Sequence, residues 1–124
     1  MDLGIKGRAA IVTGASRGIG RETARQFLEE GVRVMICGRN AVTLEQARVE
    51  LAKLTGGEVY AQVADMTREA DIAKLVKAAQ EKFGSVDILV NNAGQMYSGR
   101  FAAMNDVGLK EQFETKIVST VWLF

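Results

Sequence analysis

Thr13-Gly14-Ala15-Ser16-Arg17-Gly18-Ile19-Gly20 combines three glycines with a serine and an arginine, directly after the apolar run Arg8 to Thr13. Set between a strand and a helix, such a turn aims backbone N–H groups and the positive end of the helix dipole at one point, where an anion is held. A pyrophosphate fits there. Gly14 permits the tight turn, Gly18 lets a ligand approach the backbone, and Gly20 lets helix and strand pack closely, by the logic of the dinucleotide fingerprint. The spacing is Gly-x3-Gly-x-Gly rather than the commoner Gly-x-Gly-x2-Gly. Glycines also make ordinary tight turns, so other residues must support the assignment.

The end of the next apolar run tells the two nicotinamide dinucleotides apart. An NAD site needs a carboxylate there for the ribose 2′-hydroxyl, and that carboxylate would repel a 2′-phosphate. Here the position reads Cys37-Gly38-Arg39-Asn40, with no acid. Arg39 offers a planar fork of donors to a phosphate, and Arg17 in the glycine loop lies within reach of the same group. Either arginine alone could be an ordinary solvated side chain. Two of them with the acid missing favour NADP(H) over NAD(H). With no histidine and a single cysteine, Cys37, the chain lacks the means for a metal site or for a Ser-His or Cys-His nucleophile pair.

These residues need a scaffold, and the pattern supplies one. Four apolar runs, Arg8 to Thr13, Val32 to Cys37, Glu58 to Val63 and Val86 to Asn91, alternate with helical periodicity, as in βαβ units with a parallel sheet. The first helix is expected to carry Ile19, Thr23, Phe27 and Leu28 and to end at Gly31. The second runs from an Asn40 cap through Leu44, Ala47, Leu51 and Leu54 to Gly56-Gly57. The third follows Thr67, presents Ile72, Leu75, Val76, Ala79 and Phe83, and stops at Gly84. Gln95 to Val107 reads as a functional loop. Leu109, Phe113, Ile117 and Val121, at steps of four, predict a fourth helix. It runs into Val121-Trp122-Leu123-Phe124 with no closing signal, so the chain reads as cut short. That would leave the fourth strand as an open edge and favour a homo-oligomer or aggregation.

At 124 residues, 48% apolar and 25% charged, the composition is that of one globular domain over residues 1–124. A net charge of +1 gives no footprint for nucleic acid. The first residues, MDLGIKGRAAIVTG, place charge and glycine where a signal peptide needs an unbroken apolar run, so neither a signal peptide nor a membrane partner is expected and a cytoplasmic location is the default.

Two motifs together, Thr13 to Gly20 and Asn91-Asn92-Ala93-Gly94, resemble those of the short-chain dehydrogenases/reductases, and the likeness covers essentially the whole chain. It implies a doubly wound Rossmann-like α/β sheet whose first four strands take the order 3-2-1-4, with the C-terminal strands missing. Asp65 would contact the adenine through its carboxylate and Met66 through its backbone; the plainer alternative is that Asp65 begins a turn. Asn92, Ala93 and Gly94 would line the ribose and nicotinamide side. The expected cofactor-binding set is therefore Gly14, Ser16, Arg17, Gly18, Ile19, Gly20, Arg39, Asp65, Met66, Asn92, Ala93 and Gly94. The implied activity is hydride exchange between NADP(H) and a hydroxyl or carbonyl group of a small-molecule substrate. The family's catalytic serine and Tyr-x-x-x-Lys pair are not here: four residues beyond Tyr60 stands Ala64, and beyond Tyr97 stands Phe101. Lys116 stands where the family commonly has an asparagine, and it reads first as a helix-surface residue. No catalytic or metal-binding residue is assigned. A non-catalytic nucleotide-binding or oligomer-forming module, or a truncated product without activity, is the alternative.

Overall fold

β1 (Ala9–Thr13) is buried along its whole length, and a strand covered on both faces belongs at the centre of a sheet. The computed structural model, which describes residues 4–92, 117–118 and 121–123, places it there. After β1 come α1 (Gly18–Glu29), β2 (Arg33–Gly38), α2 (Ala41–Thr55), β3 (Val59–Val63), α3 (Glu69–Phe83), β4 (Ile88–Val90), β5 (Ile117–Val118) and β6 (Val121–Leu123). The sheet order is β3-β2-β1-β4-β6-β5. Its first four strands are parallel, with Ile11 registered against Met35 on one side and Leu89 on the other. The chain winds outward from β1 through β2 and β3, then crosses back to β4, so the direction of winding reverses between β1 and β4.

The alternation of side chains along β1 divides the core in two. Ala9 and Ile11 pack with Met35, Met66 and the α3 residues Ile72, Leu75, Val76, Ala79 and Phe83. Ala10 and Val12 pack with Ile36 and with Ala24, Leu28, Leu44, Ala47 and Leu51 of α1 and α2. Thus α1 and α2 cover one face and α3 the other. α2 starts where Asn40 Oδ1 accepts from the Val42 and Thr43 N–H groups at 2.9 and 3.0 Å. No helix among the described residues is long and apolar enough to cross a membrane.

Four expectations need correction. α1 buries Gly20, Ala24 and Leu28, not the stripe through Ile19 and Thr23; Ile19 is 77% exposed. Small residues on the inner face let α1 lie close to the sheet, and that closeness outweighs the greater hydrophobicity of Ile19. Leu54 is likewise exposed at the end of α2, where the helix leaves the core. Finally, Ile117–Val118 and Val121–Leu123 are strands rather than the end of a fourth helix; Leu109, Phe113 and Lys116 lie outside the described residues, as does Gln95 to Val107. β6 runs antiparallel to β4, with Leu89 opposite Trp122, so β4 is not an open edge. Unpaired N–H and C=O groups along β4 offer a row of hydrogen bonds, and β-branched and aromatic residues suit a strand better than a helix.

Candidate nucleotide-binding site

The parallel strands all end on one side, and the loops that follow them enclose a cleft of ≈ 460 Å³. Gly14 and Ser16 to Arg17 come from the loop after β1, Gly38 and Arg39 from the end of β2, Ala64 to Thr67 from the loop after β3, and Asn92 from the loop after β4. A crevice at the carboxyl ends of the strands, where the winding reverses, is where doubly wound sheets bind ligands.

The glycine loop is shaped by two demands. Gly14 and Gly18 take left-handed φ values of 61° and 65°, which a side chain disfavours. Gly20 answers to close approach instead: a Cβ there would lie 2.2 Å from the Gly14 carbonyl oxygen and 2.7 Å from Asn92 Nδ2. At Gly18 a Cβ would meet nothing within 4 Å, which leaves open space above that backbone. Arg17 occupies the N-cap position of α1 and makes no side-chain capping bond, in contrast to Asn40 on α2. The first-turn N–H groups of α1 therefore lack the side-chain partner that those of α2 have.

Thr13, fully buried, ties the two loops that flank the reversal point. Its hydroxyl donates toward Asn91 Oδ1 at 3.1 Å, with the Val90 carbonyl oxygen at 3.4 Å, and accepts from the Asn92 N–H at 2.9 Å. Asp65 begins the turn into α3: its Oδ1 accepts from Thr67 N–H at 2.9 Å and from Thr67 Oγ1 at 2.6 Å. These bonds, first the hydroxyl and then the amide, hold its carboxyl below the usual range against the opposing effect of burial; the charges of Arg39 and Arg68 add to the lowering. Its Oδ2 lies 3.9 Å from Arg68 Nε. The Asp65 N–H donates to Asp71 Oδ2 at 2.8 Å, which pins the loop from the first turn of α3. Met66 borders the cleft while its side chain is anchored in the α3 core. Cys37, fully buried, has its thiol pushed up to about 12, by burial first and then by the charges of Asp71 and Asp65. It is not a nucleophile at neutral pH.

Arg17 and Arg39 stand apart from most of the other arginines. Arg21, Arg25 and Arg48 each pair with a glutamate, whereas among the described residues neither Arg17 nor Arg39 makes a hydrogen bond or an ion pair through its guanidinium. Both border the cleft, and both border a second groove of ≈ 430 Å³ between α1 and α2.

Of the residues expected at the site, Gly14, Ser16, Arg17, Arg39, Asp65, Met66 and Asn92 border the cleft. Gly18 and Gly20 shape the turn behind them, and Ile19 points outward from the first turn of α1. Ala93 and Gly94 lie outside the described residues. Thr13 enters the sequence reading only as the first residue of the glycine motif and Thr67 only as a helix boundary, and neither they nor Asp71 are expected there to shape the site. A lone hydroxyl ending an apolar run before a glycine turn was a signal for Thr13, and an acid in the first turn of a helix was one for Asp71.

A parallel 3-2-1-4 arrangement with a glycine-turned cleft at its reversal point defines a Rossmann-like nucleotide-binding fold. A family model of the short chain dehydrogenases matches residues 8–124, and the chain belongs to that family. It is 34% identical over 121 residues to an uncharacterized oxidoreductase, YvrD, of Bacillus subtilis (strain 168), covering 98% of this chain and 45% of that protein. It is 42% identical over 88 residues to glucose 1-dehydrogenase of Gluconobacter oxydans (strain 621H), covering 71% of this chain and 33% of that one. L-sorbose reductase from Gluconobacter frateurii, solved in complex with NADPH and L-sorbose, superposes with a TM-score of 0.73 at 36% identity, covering 77% of this chain and 36% of that one. The chain thus spans less than half the length of these relatives.

Proposed function

We propose that this chain binds NADP(H) in preference to NAD(H), as the dinucleotide-holding part of an oxidoreductase that interconverts a hydroxyl and a carbonyl group. The observation that carries the reading is that Arg17 and Arg39 border the cleft with no hydrogen-bonded or ion-pair partner for either guanidinium among the described residues, beside a β2 end that has no carboxylate. The residues that border the cleft suit the phosphate and adenine portions of the dinucleotide. The open backbone at Gly18 and the uncapped start of α1 suit a pyrophosphate. Arg17 and Arg39 suit a 2′-phosphate, and Asp65 with the Met66 backbone suits an adenine. Asn92, with Ala93 and Gly94 after it, would face the ribose and nicotinamide. The NADPH held by the L-sorbose reductase neighbour supports the same assignment.

When bound, the nicotinamide supplies the hydride chemistry. The residues in hand would bind and orient it: the α1 N-terminus opposes the pyrophosphate charge, and Thr13 keeps the loops after β1 and β4 at fixed separation. No residue among those described is assigned the proton transfer. A homo-oligomer, through surfaces other than the β4 edge that β6 covers, and a cytoplasmic location belong to the same proposal, the latter consistent with a single, buried cysteine.

The test is titration of the purified chain with NADPH and NADH, followed by nucleotide fluorescence. NADPH should bind more tightly, and Arg39→Asp should abolish or invert the preference by at least about tenfold, the equivalent of about 1.4 kcal/mol. Equal affinities for the two nucleotides in the parent chain would refute the reading.

A further inference from the structure

The groove between α1 and α2 continues outward from Arg17 and Arg39 and contains one acid. That acid is Glu50, on α2, and it pairs with Arg21, one helical turn beyond Arg17 on α1. Among the described residues this is the only ion pair that joins α1 to α2; the others on these helices, Arg25 with Glu22 and Glu29 and Arg48 with Glu45, stay within one helix. The side chains of Arg21 and Glu50 are 36% and 56% exposed, so neither charge is locked away from the groove. The groove therefore holds three guanidinium groups and one carboxylate.

We propose that the Arg21–Glu50 pair sets how strongly this chain discriminates between the two dinucleotides. Glu50 opposes a dianion placed at Arg17 and Arg39, and Arg21 screens that opposition. The inference rests on the 2′-phosphate reading above and goes beyond it, because it assigns the strength of the preference to two residues outside the cleft. A carboxylate is needed at the end of β2 to favour NAD(H) by accepting from the ribose. Glu50 sits on the far wall of a neighbouring groove and acts only through its charge. A unit charge acting on a phosphate dianion across roughly 8–10 Å of water changes binding about two- to fivefold at low salt, and the effect fades as the Debye length shrinks.

The experiment is NADPH and NADH titration of the full chain at low and at high salt, for the parent, Glu50→Gln, Arg21→Gln and the double variant. Glutamine keeps the helix propensity at both exposed positions, and thermal melting checks that each variant folds. Glu50→Gln should tighten NADPH about two- to fivefold with NADH unchanged, and Arg21→Gln should weaken NADPH by a similar factor. The double variant restores the groove's net charge and should return near the parent. All the differences should shrink at high salt. If the parent prefers NADPH but Glu50→Gln leaves the ratio unchanged, or moves both nucleotides equally, the pair is only a brace between helices and the inference is overturned. If the parent shows no preference, the 2′-phosphate reading fails and this inference falls with it.

Discussion

Gly20 carries opposing local demands, and the distances decide between them. Alanine in place of glycine inside a helix ordinarily stabilises it by about 1 kcal/mol. At position 20 the added carbon would stand 2.2 Å from a backbone oxygen of the glycine loop, which is too short to be relieved by rotating a side chain. Overpacking of that kind costs about 1–3 kcal/mol and moves the loop that it strikes. Gly20→Ala is therefore expected to lower the melting temperature and weaken nucleotide binding together, whereas helix propensity alone would raise the melting temperature. Thr13 gives a complementary case without any clash. Valine has nearly the same shape, but it cannot accept from the partly buried Asn92 N–H or donate to Asn91 Oδ1. Leaving such groups without that partner costs about 1–3 kcal/mol, so Thr13→Val should lower the urea midpoint without changing the slope of the transition. A midpoint equal to that of the parent would mean that the hydroxyl does not tie the loops.

At the scale of the element, α1 is held to the sheet by its small inner face and bears on its outer face a network of Arg25 with Glu22 and Glu29. The hydrogen bonds from Arg25, and then from Gln26, hold the Glu22 carboxyl down to about 2, against an ordinary value of 4.5. A carboxyl depressed in the folded state binds its proton more readily once unfolded, so its contribution is complete above about 4.5 and is lost as the pH falls toward about 2. The side chain is half exposed, so the effect should be small and screened by salt. Urea midpoints measured across that window should fall less steeply for Glu22→Gln than for the parent, and a common slope would remove Glu22 from the account. Strands and helices up to Val90 could be read from the sequence because period and punctuation agree there: Asn40 caps α2, and Gly56 and Gly84 follow the last residues of α2 and α3. The face of α1 could not, because hydrophobicity singles out Ile19 while close packing selects Gly20 and Ala24. Arg17, Arg39 and Asp65 were visible by type and position, and the turn that Asp65 makes with Thr67, two residues on, is local and belongs to the plainer reading of that residue; that Arg21 turns to Glu50 depends on a contact between separate helices.

For the whole molecule the deciding feature is what covers β4. Spacing at steps of four made Ile117 and Val121 look helical, yet the hydrogen-bonding edge of a buried strand is a strong competitor for any nearby β-prone segment, and β6 takes it. Among the described residues the sheet then ends on one side at β5, two residues long, and short edge strands are poor templates for pairing with another chain. Trp122 is the middle residue of β6 and pairs with Leu89 on one side and Ile117 on the other, so whichever way its N–H points, a proline there removes a ladder bond. Trp122→Pro should uncover β4 while leaving the four parallel strands and their two core layers in place. The expected result is a higher mean mass by light scattering than the parent shows at the same concentration, with the far-ultraviolet circular dichroism largely retained. Unchanged mass would mean that β4 is protected by something other than β6, and collapse of the dichroism would mean that β6 is part of the fold's stability rather than a cover for its edge.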